Sequence, residues 1–459
     1  MLNQSDLDHL GARLEGRLIR PEDEDYDEAR SIWNAMIDRR PTLIARCSGT
    51  ADVVAAIEFA REQNLEIAVR GGGHNVAGLA MTDGGIAIDL SAMNAVEVDP
   101  KARTARVQGG ALLADLDRAT QAFGLATTGG VVSTTGVGGL TLGGGFGWLA
   151  RRFGLAIDNL LSAEVVTADG QVMRASADEH PDLFWGLRGG GGNFGVVTEF
   201  AFRLHEVGPE VLFGPTVYRL EDATEVLAHY AAFAREAPPA CCVWADLLIA
   251  PPLPFLPERY HGTKALVLMQ CYAGDLQEGE EVVRPLRRFG TPIGDAVAPT
   301  PYVEAQQRLD LVYAKGARNY WKTHNFTDLT GSVIDGLVEM AGDLPTPQSD
   351  ILISQVGGAI NGVAQDATAY PHRDTAFVLC PGARWTDSAD DTRCIAWVRD
   401  GMDRLAAHAS GGAYVNFITE ADGGQPAAFG SNYDRLVEVK TRYDPGNLFR
   451  HNQNIRPSG

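Results

Sequence analysis

No stretch of 18 or more apolar residues occurs in the chain, so nothing in it reads as a membrane-spanning helix. Positive charge is scarce as well: 39 Lys and Arg stand against 59 Asp and Glu, a formal net charge of −20. Such a surface repels phosphate backbones and anionic lipid at long range, which argues against nucleic-acid and membrane partners. Cysteine is sparse and unpatterned. Cys47, Cys241, Cys242, Cys271, Cys380 and Cys394 show no metal-ligand spacing, and Cys241 and Cys242 are too close for an ordinary bridge, so no metal site is expected. Residues 1–20 lack both an apolar export segment and a twin-arginine pair, and a reducing cytoplasm is the expected location. The acidic stretch 21–28, interrupted by Tyr26, reads as a solvated surface segment rather than a binding tail.

What is present is the composition of a folded protein, 45% hydrophobic and 21% charged, which excludes global disorder. A length of 459 residues exceeds what one core supports, so two domains are expected. Residues 42–46 and 66–70 read as strands around a helix over 52–63 that Thr50 can cap. Strands at 85–90, 95–99 and 104–108 follow, then a helix over 111–123 and a long glycine-rich stretch over 129–154. Asp169-Gly170 marks a hairpin between 161–167 and 171–175, Pro181 opens a short helix, and 196–204 is a strand. Beyond a boundary near Val207 the text becomes richer in proline, mixing strands such as 265–271 and 351–356 with helices such as 332–341, as in an α+β domain.

Three glycine-dense stretches, 71–73, 136–147 and 189–195, lie far apart in sequence within one presumptive domain. Each exposes backbone N–H groups free of side chains, and converging on one ligand they could cradle a pyrophosphate and a flat ring system; the plain alternative is tight turns between strands. A dinucleotide site of the Rossmann type needs its glycines to open a helix, whereas Gly71-Gly72-Gly73 lead into His74 and extended text, and no P-loop string is present. A nicotinamide or ATP enzyme of those folds is therefore not expected.

The string Val69-Arg70-Gly71-Gly72-Gly73-His74-Asn75 resembles the covalent-flavin histidine motif of the vanillyl-alcohol oxidase superfamily, in which an imidazole nitrogen bonds the 8α-methyl carbon of FAD. Gly136-Val137-Gly138-Gly139, Gly143-Gly144-Gly145-Phe146-Gly147 and Phe153-Gly154-Leu155-Ala156-Ile157-Asp158-Asn159 are similar to the second flavin-binding stretch of the berberine-bridge-enzyme-like oxidases. The run from Phe184 to Val197 resembles the third, and the closing Tyr443-Asp444-Pro445-Gly446-Asn447-Leu448-Phe449 and Asn452-Gln453-Asn454-Ile455 resemble the carboxy-terminal signature. The likeness spans about residues 41–455 and is strong toward bacterial members. It implies an α+β fold with a two-subdomain PCMH-type FAD-binding domain and a substrate domain whose antiparallel sheet is covered by helices. The implied division is an amino-terminal segment 1–36, an FAD domain 37–207, a substrate domain 208–408 and a segment 409–459 returning to the FAD domain. It also implies cofactor contacts from Arg70, Gly71, Gly72, Gly73, His74, Asn75 and Gly78, then from Thr135, Gly136, Gly138 and Gly139. Gly143, Gly144, Gly145, Gly147, Asp158, Asn159, Gly195, Val197, Asn452 and Asn454 complete that set.

Departures from the family pattern matter as much. Many members attach the flavin a second time through a cysteine where this chain has Val132, so a single bond at His74 is expected, with a more enclosed site and a smaller substrate. Thr135 stands where the family controls oxygen access, and its small side chain favours an oxidase over a dehydrogenase. The family's Tyr-x-Asn-Tyr base is replaced by Phe417 in Tyr414-Val415-Asn416-Phe417, and an acidic or amide position before Trp385 falls at Cys380. Lys322, Tyr320, Tyr414, Cys380 and His372 remain as candidates for proton transfer, Lys322 because a desolvated amine can accept a proton. The implied partners are O2 and a small alcohol, amine, hydroxylated heterocycle or carbohydrate, in a monomer or homodimer. An NADPH reductase of related fold and a catalytically silent flavin carrier are the alternatives.

Overall fold

Apolar strands separated by turn residues assemble into three main sheets in the computed structural model, which describes residue 2, residues 4–419 and residues 428–458. Residues 420–427 of the expected carboxy-terminal segment lie outside the described residues. The first sheet sets Leu43–Arg46, Ile86–Asp89 and Ile67–Arg70 parallel, with Arg17–Ile19 antiparallel on its edge. Crossover from Leu43–Arg46 to Ile67–Arg70 runs through the helix Thr50–Glu62, whose Val53, Ile57 and Ala60 are fully buried against the sheet. Thr50 does not cap it: Gly49 holds that position, and the Thr50 hydroxyl donates to Glu164 at 2.7 Å. The carboxylate of Asp52 instead collects the N–H groups of Glu15, Gly16 and Ser48.

The second sheet is antiparallel, in the order Val96–Asp99, Thr104–Gln108, Val196–Arg203, Leu160–Val166, Val172–Ser176. Its apolar face carries Val107, Val165 and Phe200, and the expected hairpin at Asp169-Gly170 closes its last pair. The helix expected over 111–123 is observed as Leu113–Gln121. A short helix, Val137–Leu142, interrupts the glycine-rich stretch that reads as a loop. Glycine weakens helices by exposing backbone, yet at 138 it is demanded by packing, since a Cβ there would sit 2.9 Å from the Gly109 carbonyl oxygen.

From Glu210 onward the chain builds a large antiparallel sheet, with nine strands among the described residues. Its centre runs Glu210–Arg219, Lys264–Tyr272, Cys241–Ile249, Asp350–Gln355, Phe377–Trp385 and Arg318–Trp321. The helices Ala223–Glu236, Gly331–Gly342 and Asp391–Leu405 cover one face of this sheet, burying Tyr230, Leu337 and Val398 on Leu268, Ile353 and Trp385. The other face turns toward the glycine-rich half. Alternation along a strand sends odd and even residues to opposite faces, so parity decides which side chains reach that half. All six cysteines are free and buried, and no described helix is long and apolar enough to cross a membrane.

After the helix Tyr433–Tyr443 the chain returns to the second sheet's core, where Leu436, Val439 and Ile455 pack beside Phe194 and Phe200. A buried cation fixes this return. Lys440, fully buried, donates to Asn193 O at 2.8 Å, Phe449 O at 2.9 Å and Asp444 Oδ2 at 2.6 Å. Asp444 in turn accepts the N–H groups of Leu448 and Phe449. Removing one member of a buried, hydrogen-bonded ion pair strands the other and costs about 3–5 kcal/mol. Lys440→Met is therefore expected to lose that much stability in urea unfolding monitored by circular dichroism, and a loss below ~1 kcal/mol would show that the cation is not holding the segment.

Candidate active site

Two of the glycine-dense loops touch through bare backbone. A Cβ on Gly72 would lie 2.4 Å from Gly136 N, and one on Gly136 would lie 2.3 Å from Gly72 N, so neither position has room for any side chain. Gly73 follows with φ +66°, a conformation that L side chains rarely adopt. This turn aims His74 into a cavity of about 310 Å³, within the range of small-molecule sites. One wall of the cavity is the loop Gly71 to Asn75 together with Thr135, Gly136, Gly138 and Gly139. Gly195, Val197 and Asn452 extend that wall. The opposite wall is the large sheet, which contributes Trp244, Trp321, Asp350, Leu352, Cys380 and Gly382.

The imidazole of His74 stacks on Trp33, with ring centroids 4.6 Å apart and planes 23° from parallel. Burial lowers its pKa to about 4, so the ring is neutral at ordinary pH. Its Nε2 is buried with no hydrogen-bond partner. An unpartnered buried polar atom is costly, and this one faces a cavity whose other glycine-lined surfaces offer N–H groups. The side-chain oxygen of Asn452, on the cavity wall, is likewise buried without a partner. Bare backbone for a flat ring and a pyrophosphate, with unsatisfied polar atoms around it, fits a flavin dinucleotide.

Several residues expected to touch the cofactor lie outside the lining of this cavity and are bonded to the surrounding frame. Arg70 is not among the cavity-lining residues; its guanidinium donates to the Ala29 carbonyl. Asp158 forms a buried pair with Arg373 at 2.8 and 2.9 Å and accepts the Leu155 N–H, while the Asn159 amide donates to the Phe153 and Leu155 carbonyls. Both shape the turn around Gly154 from behind the cavity. Gly143, Gly144, Gly145 and Gly147 form the turn after the short helix, pressed against Asn416, Tyr370, Leu140 and Gly129, and do not line the cavity. Gly78 packs on Ile37, and Asn454 lies behind Asn452 in the chain, also outside the lining.

The proton-transfer candidates divide the same way. Tyr320 points to the helix-covered face, where Arg399 Nε donates to its hydroxyl at 3.0 Å, because it sits one residue out of parity with Trp321. Lys322, half-buried just past that strand, does not line the cavity, and His372 is engaged with the Ala428 carbonyl. Tyr414 does line it. Its hydroxyl accepts from Gly145 N at 3.0 Å and Asn416 Nδ2 at 2.9 Å, and burial pushes its pKa to about 12, so it keeps its proton. Cys380 lines the sheet wall with a thiol that burial pushes far upward.

The sheet wall also carries groups that the sequence reading passed over. Asp350, 4% exposed, pairs in register with Gly382, and Leu352 with Cys380, so Asp350 and Cys380 share the cavity face. Tyr313 donates to Asp350 Oδ2 at 2.6 Å. Asp246 lies diagonally across from Asp350 on the neighbouring strand, and its Oδ1 is buried without a partner. A carboxylate inside apolar strand text, as in Val243-Trp244-Ala245-Asp246-Leu247-Leu248, was the available signal.

A family model described as "FAD binding domain" matches residues 41–176, and one described as "Berberine and berberine like" matches residues 413–456. The (R)-6-hydroxynicotine oxidase of Paenarthrobacter nicotinovorans is 32% identical over 467 residues, covering 97% of this chain and 98% of that one. An FAD-linked oxidoreductase of Dictyostelium discoideum is 30% identical over 449 residues, covering 97% and 95%. The crystal structure of 6-hydroxy-D-nicotine oxidase from Arthrobacter nicotinovorans superposes with a TM-score of 0.87 at 29% identity, over 97% of this chain and 98% of that one. Cradle, fold and likeness along nearly the full length agree: the chain belongs to the berberine-bridge-enzyme-like FAD-linked oxidoreductases.

Proposed function

We propose that the protein is an oxidase that holds FAD through a single bond to His74 and oxidises a small alcohol, amine or hydroxylated heterocycle, releasing hydrogen peroxide. The observation that carries the attachment is the neutral, buried imidazole whose Nε2 has no protein partner. A neutral ring keeps the lone pair that a nucleophile needs. Val132 offers no thiol for a second bond. Bound FAD supplies a two-electron acceptor that takes hydride from a substrate C–H and passes the electrons to oxygen.

The chain's own residues do the rest. Trp33 holds the His74 ring by stacking, and the loop Gly71 to Gly73 lets backbone approach a flat ring without obstruction. Trp244, Trp321, Phe146 and Phe417 line the cavity with apolar surface that orients a small organic substrate and excludes water. Thr135, small and at the cavity wall, leaves room for oxygen to approach. Free, buried thiols support a reducing compartment as the protein's home.

Acid-precipitated wild-type protein is expected to keep its yellow colour in the pellet, and His74→Ala to lose it entirely. An unmodified mass for the tryptic peptide around residue 74 in fully loaded protein would end the attachment proposal. A panel of alcohols, amines, hydroxylated heterocycles and sugars, read by anaerobic bleaching and then by peroxide release in air, is expected to reveal at least one donor. Tyr414→Phe should slow that donor by less than the ~100-fold expected for loss of a general base, because the Tyr414 hydroxyl keeps its proton.

A further inference from the structure

Asp350 is the carboxylate of the sheet wall, and the nearest cation, Arg384, sits behind it against the Trp33 and Tyr313 rings. Among the described cavity-lining residues there is no Lys or Arg, whereas Asp350 presents a carboxylate between Trp321 and Cys380. Gly382 is what keeps that carboxylate uncovered: a Cβ there would sit 2.9 Å from Asp350 Oδ1 and 3.1 Å from Trp321 Nε1. The other oxygen, Oδ2, is held by the Tyr313 hydroxyl at 2.6 Å. Tyr313 is itself steadied by Trp33, whose Nε1 donates to the Tyr313 carbonyl at 2.7 Å and whose ring stacks on His74. Carboxylate, phenol and the His74 ring are thereby tied into one rigid group.

We infer that Asp350, held by Tyr313 and backed by Asp246, is the group that binds the substrate's O–H or N–H and takes its proton, selecting neutral donors and ammonium-type cations and rejecting carboxylates. This rests on the proposed oxidase reading and names its missing base. The Asp350 carboxylate gains the proton, the substrate carbon–heteroatom bond gains double-bond character, and the hydride leaves to the acceptor that the proposed function supplies. Both charge and electrons balance.

The electrostatic surroundings agree with the geometry. Burial raises the Asp350 pKa to about 6, opposed by the Tyr313 hydrogen bond and by Arg384 on the strand Phe377–Trp385. Burial and Asp350 push Asp246 well above the ordinary carboxylate range, and both carboxylates push the Cys380 thiol upward. Tyr313 and Arg384 favour the ionised form of Asp350, whereas burial and Asp350 disfavour that of Asp246, so Asp350 is the member of the pair that ionises first. Above about pH 6 Asp350 can accept a proton, and below it the acceptor is filled.

The test uses the flavin-loaded enzyme and two ring probes of opposite charge, benzylamine and benzoate, with binding followed by quenching of tryptophan fluorescence. At pH 8 the wild type is expected to bind benzylamine at least about ten-fold more tightly than benzoate, the worth of a charge-assisted hydrogen bond. Benzylamine affinity should fall as the pH drops through about 6. Asp350→Asn, nearly isosteric, should abolish both the preference and the pH dependence while retaining acid-stable flavin and its circular dichroism. Tyr313→Phe should move the midpoint upward, since it removes a bond that favours the ionised form. With the best donor of the panel, Asp350→Asn should slow anaerobic bleaching by ~100-fold or more. Equal binding of the two probes by the wild type, no binding of benzylamine, or an unchanged preference in Asp350→Asn would overturn the inference. Loss of the flavin on acid treatment would instead count against the attachment proposal and leave the probe preference standing.

Discussion

Contact between Gly72 and Gly136 brings two layers of the molecule together through backbone alone. The first belongs to the loop leaving the parallel sheet, the second to the start of the short helix beside the antiparallel sheet. A single methyl group on either would overlap the other loop's nitrogen and force the layers apart. The direction of His74, its stacking on Trp33 and the shape of the cavity's glycine wall all follow from that approach. Where side chains interdigitate, a neighbour can move aside; where two backbones meet, nothing can.

The facing wall obeys a different rule. Pleating of the large sheet hands alternate residues to helices on one side and to the cavity on the other. Trp321, Asp350, Cys380 and Gly382 fall on the cavity side, and Tyr320, Ile351 and Ala383 on the helix side. One face consequently serves stability through Trp385, Leu379 and Ile353, while the other is free to carry chemistry that a core would not tolerate. Of the two buried carboxylates there, burial and its neighbour push Asp246 toward its protonated form, and Tyr313 hydrogen-bonds Asp350.

Much of the cofactor side was legible in the amino-acid order because local backbone needs are written locally. Gly71, Gly72 and Gly73 before His74, and Gly136 with Gly138, declare close approach whatever the rest of the chain does, and the structure brings them to one cavity. The likeness to the flavin family carried the fold. Arg70, Asp158 and Asn159, expected as contacts from the same likeness, have side chains bonded to the Ala29 carbonyl, to Arg373 and to the turn before Asn159. On the facing wall the chemistry depends on strand parity and on pairing between strands more than a hundred residues apart, as for Asp246 and Leu352. No local pattern reports that, so the amino-acid order alone does not show that Asp350 lines the cavity while Tyr320 faces the helices. Tyr313, in an irregular segment after the helix Tyr302–Gln307, had no pattern at all.

The buried Lys440 has a meaning for how the protein is made. It clamps the closing segment onto the loop of Asn193, and through that segment Asn452 and Gln453 become part of the cavity, as do Tyr414 and Phe417 earlier in the same return. His74 is therefore translated hundreds of residues before the walls that enclose it. A nascent chain can fold its sheets early, but the cavity wall is complete only once the segment carrying Lys440, Asn452 and Gln453 has been made and docked.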